Sequence, residues 1–337
     1  MNPEVAERLS RLRPLNPGNA FAHTAPCKVC GALARFFDVA DFNKCAQEHD
    51  TYQYGPAGIS VPYCRCDLCG FLFTSFFDDW SPEEFARFIY NDDYVRVDGE
   101  YVSSRPIRMA ERLVDLLGEF RSARILDYGA GRGVFGECMN KAGFHVESYD
   151  PFSIPQRPDG QFDIVTCFEV IEHSADPRHT FQDMRTFLRD DGCVLFTQAL
   201  QPAEIGRVRC SWWYAAPRNG HVSMYCDRTL AALAEQTGFV FYRGQPFHGL
   251  CTRGAATLGR LAAAVGQPWL FPVLGAVDGG PSMGGIAQKG HPRVGSAGAR
   301  GTGWSGGLWC HRGSGRRSRR ECHSPWRLSL ASPRRAA

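Results

Sequence analysis

The stretch Arg124–Asp150, RILDYGAGRGVFGECMNKAGFHVESYD, decides the fold. It predicts an apolar strand that ends at Asp127, a glycine turn, a helix, and a second strand closed by Asp150. A glycine turn between a strand and a helix N-terminus lets a ligand approach backbone that no side chain covers. The stretch therefore indicates an α/β fold with a ligand site at the turn. The glycines that alternate through this turn are Gly129, Gly131 and Gly133.

The class of ligand depends on Asp127. Gly131, Gly133 and Gly136 also satisfy the G-x-G-x-x-G pattern of dinucleotide sites, so the glycines alone leave a nicotinamide-dependent reductase open. A carboxylate two residues before the first glycine would repel a pyrophosphate but would pair with an ammonium group. The alternative, that Asp127 and Asp150 are only a helix cap and a turn residue, agrees less well with the whole layout.

The layout D-x-G-x-G-x-G, followed by an acidic residue at the end of the next strand, resembles the cofactor site of class I S-adenosylmethionine (SAM) methyltransferases. The resemblance implies a Rossmann-like sheet with helices on both faces. It also implies that Asp127 lies near the methionine end of SAM and that Asp150 binds the ribose hydroxyls. The cofactor-binding residues expected from it are Asp127, Gly129, Gly131, Gly133, Asp150 and Phe168.

The segment after Asp150 is too short for a complete methyltransferase sheet. Residues 151–161 are eleven residues with three prolines, and a buried strand over 162–168 follows. Eleven extended residues span roughly 36 Å, enough to cross the sheet but not to build a helix, a strand and another crossover. We therefore expect a sheet without the usual third strand, and fewer contacts to adenine. The chain then predicts a helix over 177–188, a strand over 192–198, a helix over 227–236 and a closing hairpin over 239–252.

Five clustered cysteines indicate a metal site rather than a disulfide framework. The two C-x-x-C-G knuckles predict a zinc ribbon with a closed four-thiolate site, which leaves Cys64 as a spare. With the capped helix at Ser81 and a tyrosine-rich linker, the RCDLCG knuckle resembles bacterial methyltransferases that carry an N-terminal zinc ribbon. Many of these modify saccharides or their nucleotide-linked precursors. The four expected zinc ligands are Cys27, Cys30, Cys66 and Cys69.

The candidate catalytic residues are histidines and glutamates. His221, in the long loop over 199–226, is the first candidate for general base, and His173 is the second, because imidazole titrates near neutral pH. Either histidine could instead be structural. Glu169, Glu172 and His173 form ExxEH, which could share one face of a helical turn and bind magnesium. Similar residues bind magnesium in ubiquinone-pathway O-methyltransferases and, with another histidine, in small-RNA 3′-terminal methyltransferases.

Charge and composition divide the chain. Residues 279–337 hold eleven Lys and Arg and one Glu, so the formal charge of +3 leaves −7 on residues 1–278. The acidic body lacks the basic surface of a nucleic-acid binder, and only the tail could bind nucleic acid or an anionic membrane. The expected segments are a flexible arm (1–25), the ribbon (26–75), a helical linker (76–120), the SAM domain (121–254) and a tail (255–337). From about residue 278 we expect disorder, and we favour a frameshift as its origin.

The sequence thus predicts a SAM-dependent methyltransferase that acts on a hydroxyl or carbon of a small molecule, with a sugar or nucleotide sugar as the implied class. Metal-assisted O-methylation of RNA or a phenol is the first alternative. The second is an inactive interaction module that binds SAM or zinc. No apolar run is long enough to cross a membrane and no signal-peptide core is present, so we expect a cytoplasmic protein without a membrane partner. The oligomeric state is left open.

Overall fold

The computed structural model describes residues 24–46, 54–102, 104–244, 247–252, 259 and 270–272. Most of the predicted N-terminal arm and the whole tail after residue 272 lie outside these residues. None of the helices in the described residues is long and apolar enough to cross a membrane.

A seven-stranded sheet forms the centre of the chain. Its strands are β5 (Arg124–Tyr128), β6 (His145–Tyr149), β7 (Phe162–Phe168), β8 (Leu188–Thr197), β10 (Val240–Arg243), β11 (His248–Cys251) and β12 (Leu270–Pro272). The strand order is β12-β10-β11-β8-β7-β5-β6. The four adjacent strands β6, β5, β7 and β8 are parallel. Strands β11, β10 and β12 are antiparallel to their neighbours. The predicted closing hairpin is β10–β11, whereas β12 was not predicted.

The predicted absence of a third strand is confirmed. Among the described residues, strand β6 pairs only with β5, and the chain after Asp150 forms one isolated bridge, to Ile154, before it enters β7 on the other side of β5. The whole of this connection is described, and it contains neither a helix nor a ladder strand. The short, proline-containing link leaves β6 as an edge strand beside the glycine turn.

Helices cover both faces of this sheet, as predicted. They are α3 (Ser104–Leu116) and α4 (Val134–Lys141) on one face, and α5 (Pro177–Phe187) and α7 (Asp227–Gln236) on the other. Successive residues of β5 show why, because Ile125 belongs to the core under α3 and α4 whereas Leu126 belongs to the core under α5 and α7. Alternation along a strand sends neighbours to opposite faces, so an apolar strand has to be covered twice.

Three helices link the ribbon to the sheet: α1 (Pro82–Phe88), α2 (Tyr94–Val97) and α3. Helix α1 begins with the predicted capping box, in which the Ser81 hydroxyl accepts from the backbone N–H of Glu84 and the Glu84 carboxylate accepts from the N–H of Ser81. Helix α3 begins at Ser104.

A second sheet has five strands in the order β1-β2-β3-β4-β9. The first four strands come from the N-terminal region: β1 (Thr24–Pro26), β2 (Leu33–Asp41), β3 (Ser60–Arg65) and β4 (Leu72–Phe73). The fifth, β9 (Ser223–Met224), comes from the long loop that follows β8. This loop also contains α6 (Ile205–Val208) and three-residue 3₁₀ turns. We call this sheet the ribbon sheet. Its fifth strand joins the N-terminal region to the loop that carries His221.

Candidate active site

The glycine turn after β5 has the backbone that its sequence requires. Gly129, Gly131 and Gly133 all have positive φ, at 75°, 54° and 76°. A Cβ on Gly129 would lie 2.4 Å from Cγ2 of Val170, so any larger residue would have to displace the Val170 side chain.

The amides of this turn are used within the protein. The N–H groups of Gly129 and Ala130 donate to the carbonyl of Tyr149, and that of Gly131 donates to the Asp150 carboxylate. The turn therefore offers space rather than a ring of free donors. This favours a ligand without phosphate, because a pyrophosphate would need those N–H groups.

Asp127 presents a buried carboxylate to this space. Oδ1 lies 3.4 Å from the Thr166 hydroxyl, whereas Oδ2 is buried and has no hydrogen-bond partner among the described residues. Burial raises the pKa of Asp127 to about 7, and the nearby Asp150 adds to the effect. An unpaired buried carboxylate fits an ammonium group from a ligand, as the sequence predicted for the amino group of SAM.

Asp150 fixes the other side of the turn. Its Oδ1 accepts from the N–H groups of Phe152 and Ser153, and its Oδ2 accepts from Gly131. The carboxylate thus ties the start of the short link to the glycine turn. Phe168, at the end of β7, packs edge-on against Phe135. Asp150 and Phe168 both line the same cavity as Asp127.

Glu172, His173 and His221 come together in the lining of the same cavity. One ligand atom from each lies within 4.8 Å of the others. Glu172 and His173 sit on a 3₁₀ turn after β7, and His221 follows Gly220, whose φ is 82°. Glu169 is not in this group. Glu169 precedes this 3₁₀ turn and has a φ of 54°. Its Oε1 accepts a hydrogen bond from the Thr197 hydroxyl.

In both histidines, Nε2 is the unprotonated ring nitrogen and carries a lone pair. Nδ1 of His221 lies 2.8 Å from the carbonyl of Tyr214, and Nδ1 of His173 lies 3.1 Å from the carbonyl of Gly220 and 3.0 Å from the Tyr90 hydroxyl. A carbonyl oxygen only accepts, so Nδ1 carries the proton in each ring. Burial lowers the pKa of both histidines, which favours the neutral ring with an unprotonated Nε2.

Glu172 is buried, and one of its two carboxylate oxygens accepts a hydrogen bond. Its Oε1 accepts from the Tyr214 hydroxyl at 2.7 Å, whereas Oε2 has no hydrogen-bond partner among the described residues. Burial raises the pKa of Glu172 to about 7, and burial together with the charge of Glu172 does the same for Glu169. Tyr214 and Thr197 therefore hold the two glutamates by hydrogen bonds, although no pattern in the sequence marks them.

One cavity of about 880 Å³ is lined both by Asp127 with the glycine turn and by the group of Glu172, His173 and His221. Tyr90, Tyr94 and Tyr101, from α2 and the turns on either side of it, line the cavity and belong to the tyrosine-rich segment noted in the sequence. The adjacent residues Trp212 and Trp213 differ in exposure. Trp212 is 8% exposed, whereas Trp213 is 52% exposed and lines the cavity.

The four predicted zinc ligands form a separate cluster. Sγ of Cys27 and Cys69 lie 3.5 Å apart, as do those of Cys30 and Cys66, and all four lie within 4.8 Å of one another. A tetrahedral zinc ion with Zn–S bonds of about 2.3 Å would place its sulfurs about 3.8 Å apart, so the thiols fit this metal. Cys64 lies outside the cluster, in β3.

The knuckles that hold these cysteines share one geometry. The backbone N–H of Cys27 donates to Ala32 and that of Cys66 donates to Phe71. The glycines that end the two knuckles, Gly31 and Gly70, both have positive φ. The described cysteines form no disulfide bond.

Comparison with known proteins identifies the central part of the chain. Residues 101–242 match the family described as "Methyltransferase domain". The chain is 29% identical over 119 residues to a ubiquinone biosynthesis O-methyltransferase of Aeromonas salmonicida, across 27% of this chain and 49% of that protein. It is 33% identical over 100 residues to the protein of the same name from Aromatoleum aromaticum, across 22% and 43%. The chain thus spans about half the length of the curated relatives it matches.

Among solved structures, an O-methyltransferase family protein from Burkholderia thailandensis is 13% identical, with a TM-score of 0.37, across 52% of this chain and 64% of that one. The match over residues 101–242 confirms the predicted methyltransferase domain. The saccharide-modifying subgroup, the domain limits and the roles of individual site residues stay predictions.

Proposed function

We propose that this chain is a SAM-dependent methyltransferase that acts on a hydroxyl group of a small molecule. One observation carries the proposal. A single cavity is lined both by the buried Asp127 carboxylate, whose Oδ2 has no hydrogen-bond partner among the described residues, and by a pair of histidines beside a buried glutamate. The first half suits a cationic cofactor, and the second suits removal of a proton from an acceptor.

The cofactor half has the features that SAM requires. Asp127 would pair with the amino group of the methionine part, the glycine turn would leave room for that part, and Asp150 and Phe168 would contact the ribose and its surroundings. When bound, SAM supplies a methyl group that its sulfonium already makes electrophilic. The chain therefore has to align the acceptor and exclude water rather than activate the donor.

The acceptor half has the features of a general base. His221 is buried, neutral and held in the Nδ1–H tautomer by Tyr214, so its Nε2 can accept the proton of a hydroxyl. His173, 5.1 Å away between ring centroids, is the second base. The Tyr90 hydroxyl contacts His173 and so links it to the turn between α1 and α2.

The lining residues favour an uncharged acceptor with aromatic or sugar faces. Trp213 and the five lining tyrosines offer aromatic surface for stacking, which supports a saccharide or a phenol. Arg105 donates to both carboxylate oxygens of Asp98, which leaves little positive charge for a phosphate. Among saccharides, we therefore propose an acceptor without a nucleotide diphosphate. The acidic residues of the lining are Asp92, Asp98, Asp127, Asp150, Glu169 and Glu172, and its basic residues are Arg105 and Arg132.

A second candidate function is metal-assisted O-methylation, favoured by the Glu172–His173–His221 group. Ligating histidines usually donate Nδ1–H to a carbonyl or carboxylate and bind the metal through Nε2. Both histidines have that carbonyl partner here, and Oε2 of Glu172 has no partner in the described part of the chain. These residues would hold a divalent ion, which would lower the pKa of a bound hydroxyl. The ligand set would then be Glu172, His173 and His221, with Glu169 outside it.

Turnover of radiolabelled SAM with a panel of sugars and phenols tests both candidates. His221→Gln is expected to lower kcat by about 10²–10⁴-fold while the Kd for SAM stays within about threefold. His179→Ala, an exposed position on α5, is the control. Loss of turnover on chelation, restored by magnesium and abolished in Glu172→Gln, would select the metal-assisted reaction. SAM binding without turnover on any acceptor would instead favour an inactive binding module.

A further inference from the structure

We propose that the ribbon sheet positions His221 for catalysis, and that Tyr63 is the positioning residue through which it acts. This inference rests on the proposed function, in which His221 serves the acceptor. It assigns to the N-terminal region a part in the reaction at a distance from its cysteine cluster.

The direct contact runs from Tyr63 to the backbone of His221. Tyr63 lies in β3 and is fully buried, and its hydroxyl donates to the carbonyl oxygen of His221 at 2.9 Å. The imidazole of the same residue is held from the other side, by the carbonyl of Tyr214. The backbone and ring of His221 are therefore fixed by separate parts of the chain.

The strand next to His221 is part of the ribbon sheet. In the β4–β9 ladder, Phe73 pairs with Ser223, and one residue further on the N–H of Thr74 donates to the carbonyl of Val222 at 3.0 Å. The N–H of Val222 donates to the carbonyl of Glu172 at 2.9 Å. Val222 thus connects the ribbon sheet to the turn that carries Glu172 and His173.

The same loop is held again before His221. The ammonium group of Lys44, in the segment after β2, donates to the carbonyls of Trp212 and Ala215 at 3.0 and 2.9 Å. The backbone N–H of Arg218 donates to the carbonyl of Lys44 at 3.1 Å. The N-terminal region therefore contacts the loop on both sides of His221.

Tyr63→Phe removes one hydroxyl and keeps the buried ring, so it tests this role without opening a cavity. Thr237→Val is the matched control. The Thr237 hydroxyl also makes a buried hydrogen bond to a carbonyl, that of Leu233 at 2.8 Å, but it lies at the end of α7, outside the cavity lining. Both variants are compared in thermal stability, SAM binding, the pH profile of kcat, and hydrogen exchange of a peptide over 215–225.

In Tyr63→Phe we expect kcat to fall about tenfold or more, the acid limb of the pH profile to move, and exchange over 215–225 to speed up about tenfold. The Kd for SAM should stay within about twofold. Thr237→Val should lose similar thermal stability and change none of the other readings. Equal behaviour of the two variants would overturn the proposal. Faster exchange in Tyr63→Phe alone, in a protein without turnover, would support positioning of the loop while refuting the proposed activity.

Discussion

Asp127→Asn is expected to stabilise the ligand-free protein, and to do so more at high pH. The pKa of Asp127 is about 7 in the folded chain, against an ordinary value of 3.8, because the carboxyl is buried. Between these pH values the unfolded chain releases the proton while the folded chain keeps it. Unfolding therefore becomes more favourable as pH rises from 3.8 to 7, and this loss of folded-state stability is complete above pH 7.

The size of the effect follows from the displacement of the pKa. One pKa unit corresponds to about 1.4 kcal/mol, so a carboxyl raised by about three units costs the folded state about 4 kcal/mol at pH 8. At pH 5.5 only part of this cost is present, and the difference between pH 5.5 and 8 is about 2 kcal/mol. Asparagine has nearly the same shape and does not ionise, so the variant should not show this pH dependence.

Urea denaturation of both proteins at pH 5.5 and 8 measures the difference directly. The stability of Asp127→Asn relative to the native sequence should increase by about 2 kcal/mol between the two pH values. Asp159→Asn, at an exposed position in the link after β6, controls for effects of pH on the whole chain. A relative stability that is the same at both pH values would refute the buried, unpaired carboxylate, and with it the reason for assigning an ammonium group to this position.

Further predictions concern the glycine turn, the cysteine cluster and the helix cap. Gly129→Ala should cost about 1–3 kcal/mol in thermal unfolding, because its φ of 75° disfavours any Cβ, whereas Gly118→Ala, in open space, should cost less; equal losses would contradict the strained turn. Cys66→Ser should lose bound zinc by mass spectrometry while Cys64→Ala keeps one zinc per chain, and retention in both would place the metal elsewhere. Ser81→Ala should lower the unfolding free energy by about 1 kcal/mol, and an unchanged urea midpoint would dispute the cap.

The parts of the fold that the sequence predicted well are those fixed by neighbouring residues. The glycine turn, the strand ending near Asp127 and the capping box at Ser81 all depend on residues within a few positions of one another. The missing third strand was predictable for a different reason, because eleven residues cannot hold the helix and strand of a full sheet whatever their identity.

The parts that the sequence could not predict depend on contacts across the chain. Strand β9 has only two residues, and its pairing with Leu72 and Phe73 leaves no local pattern. The pairing nevertheless decides where His221 lies. The spacing of Glu169, Glu172 and His173 suggested one helical face. The positive φ of Glu169 is not helical, so Glu169 lies outside the 3₁₀ turn that carries the other two residues. The third member of the group is His221 instead, which lies 48 residues beyond His173 in the sequence.

The most direct test of the central claim is calorimetry of the full chain with SAM and with its demethylated product, S-adenosylhomocysteine. The account predicts that one molecule of each binds per chain and that Asp127→Asn weakens SAM binding at least tenfold. Circular dichroism of the same samples establishes that the protein is folded. A folded chain that binds neither compound, or that binds SAM equally well without the Asp127 carboxylate, would contradict the account.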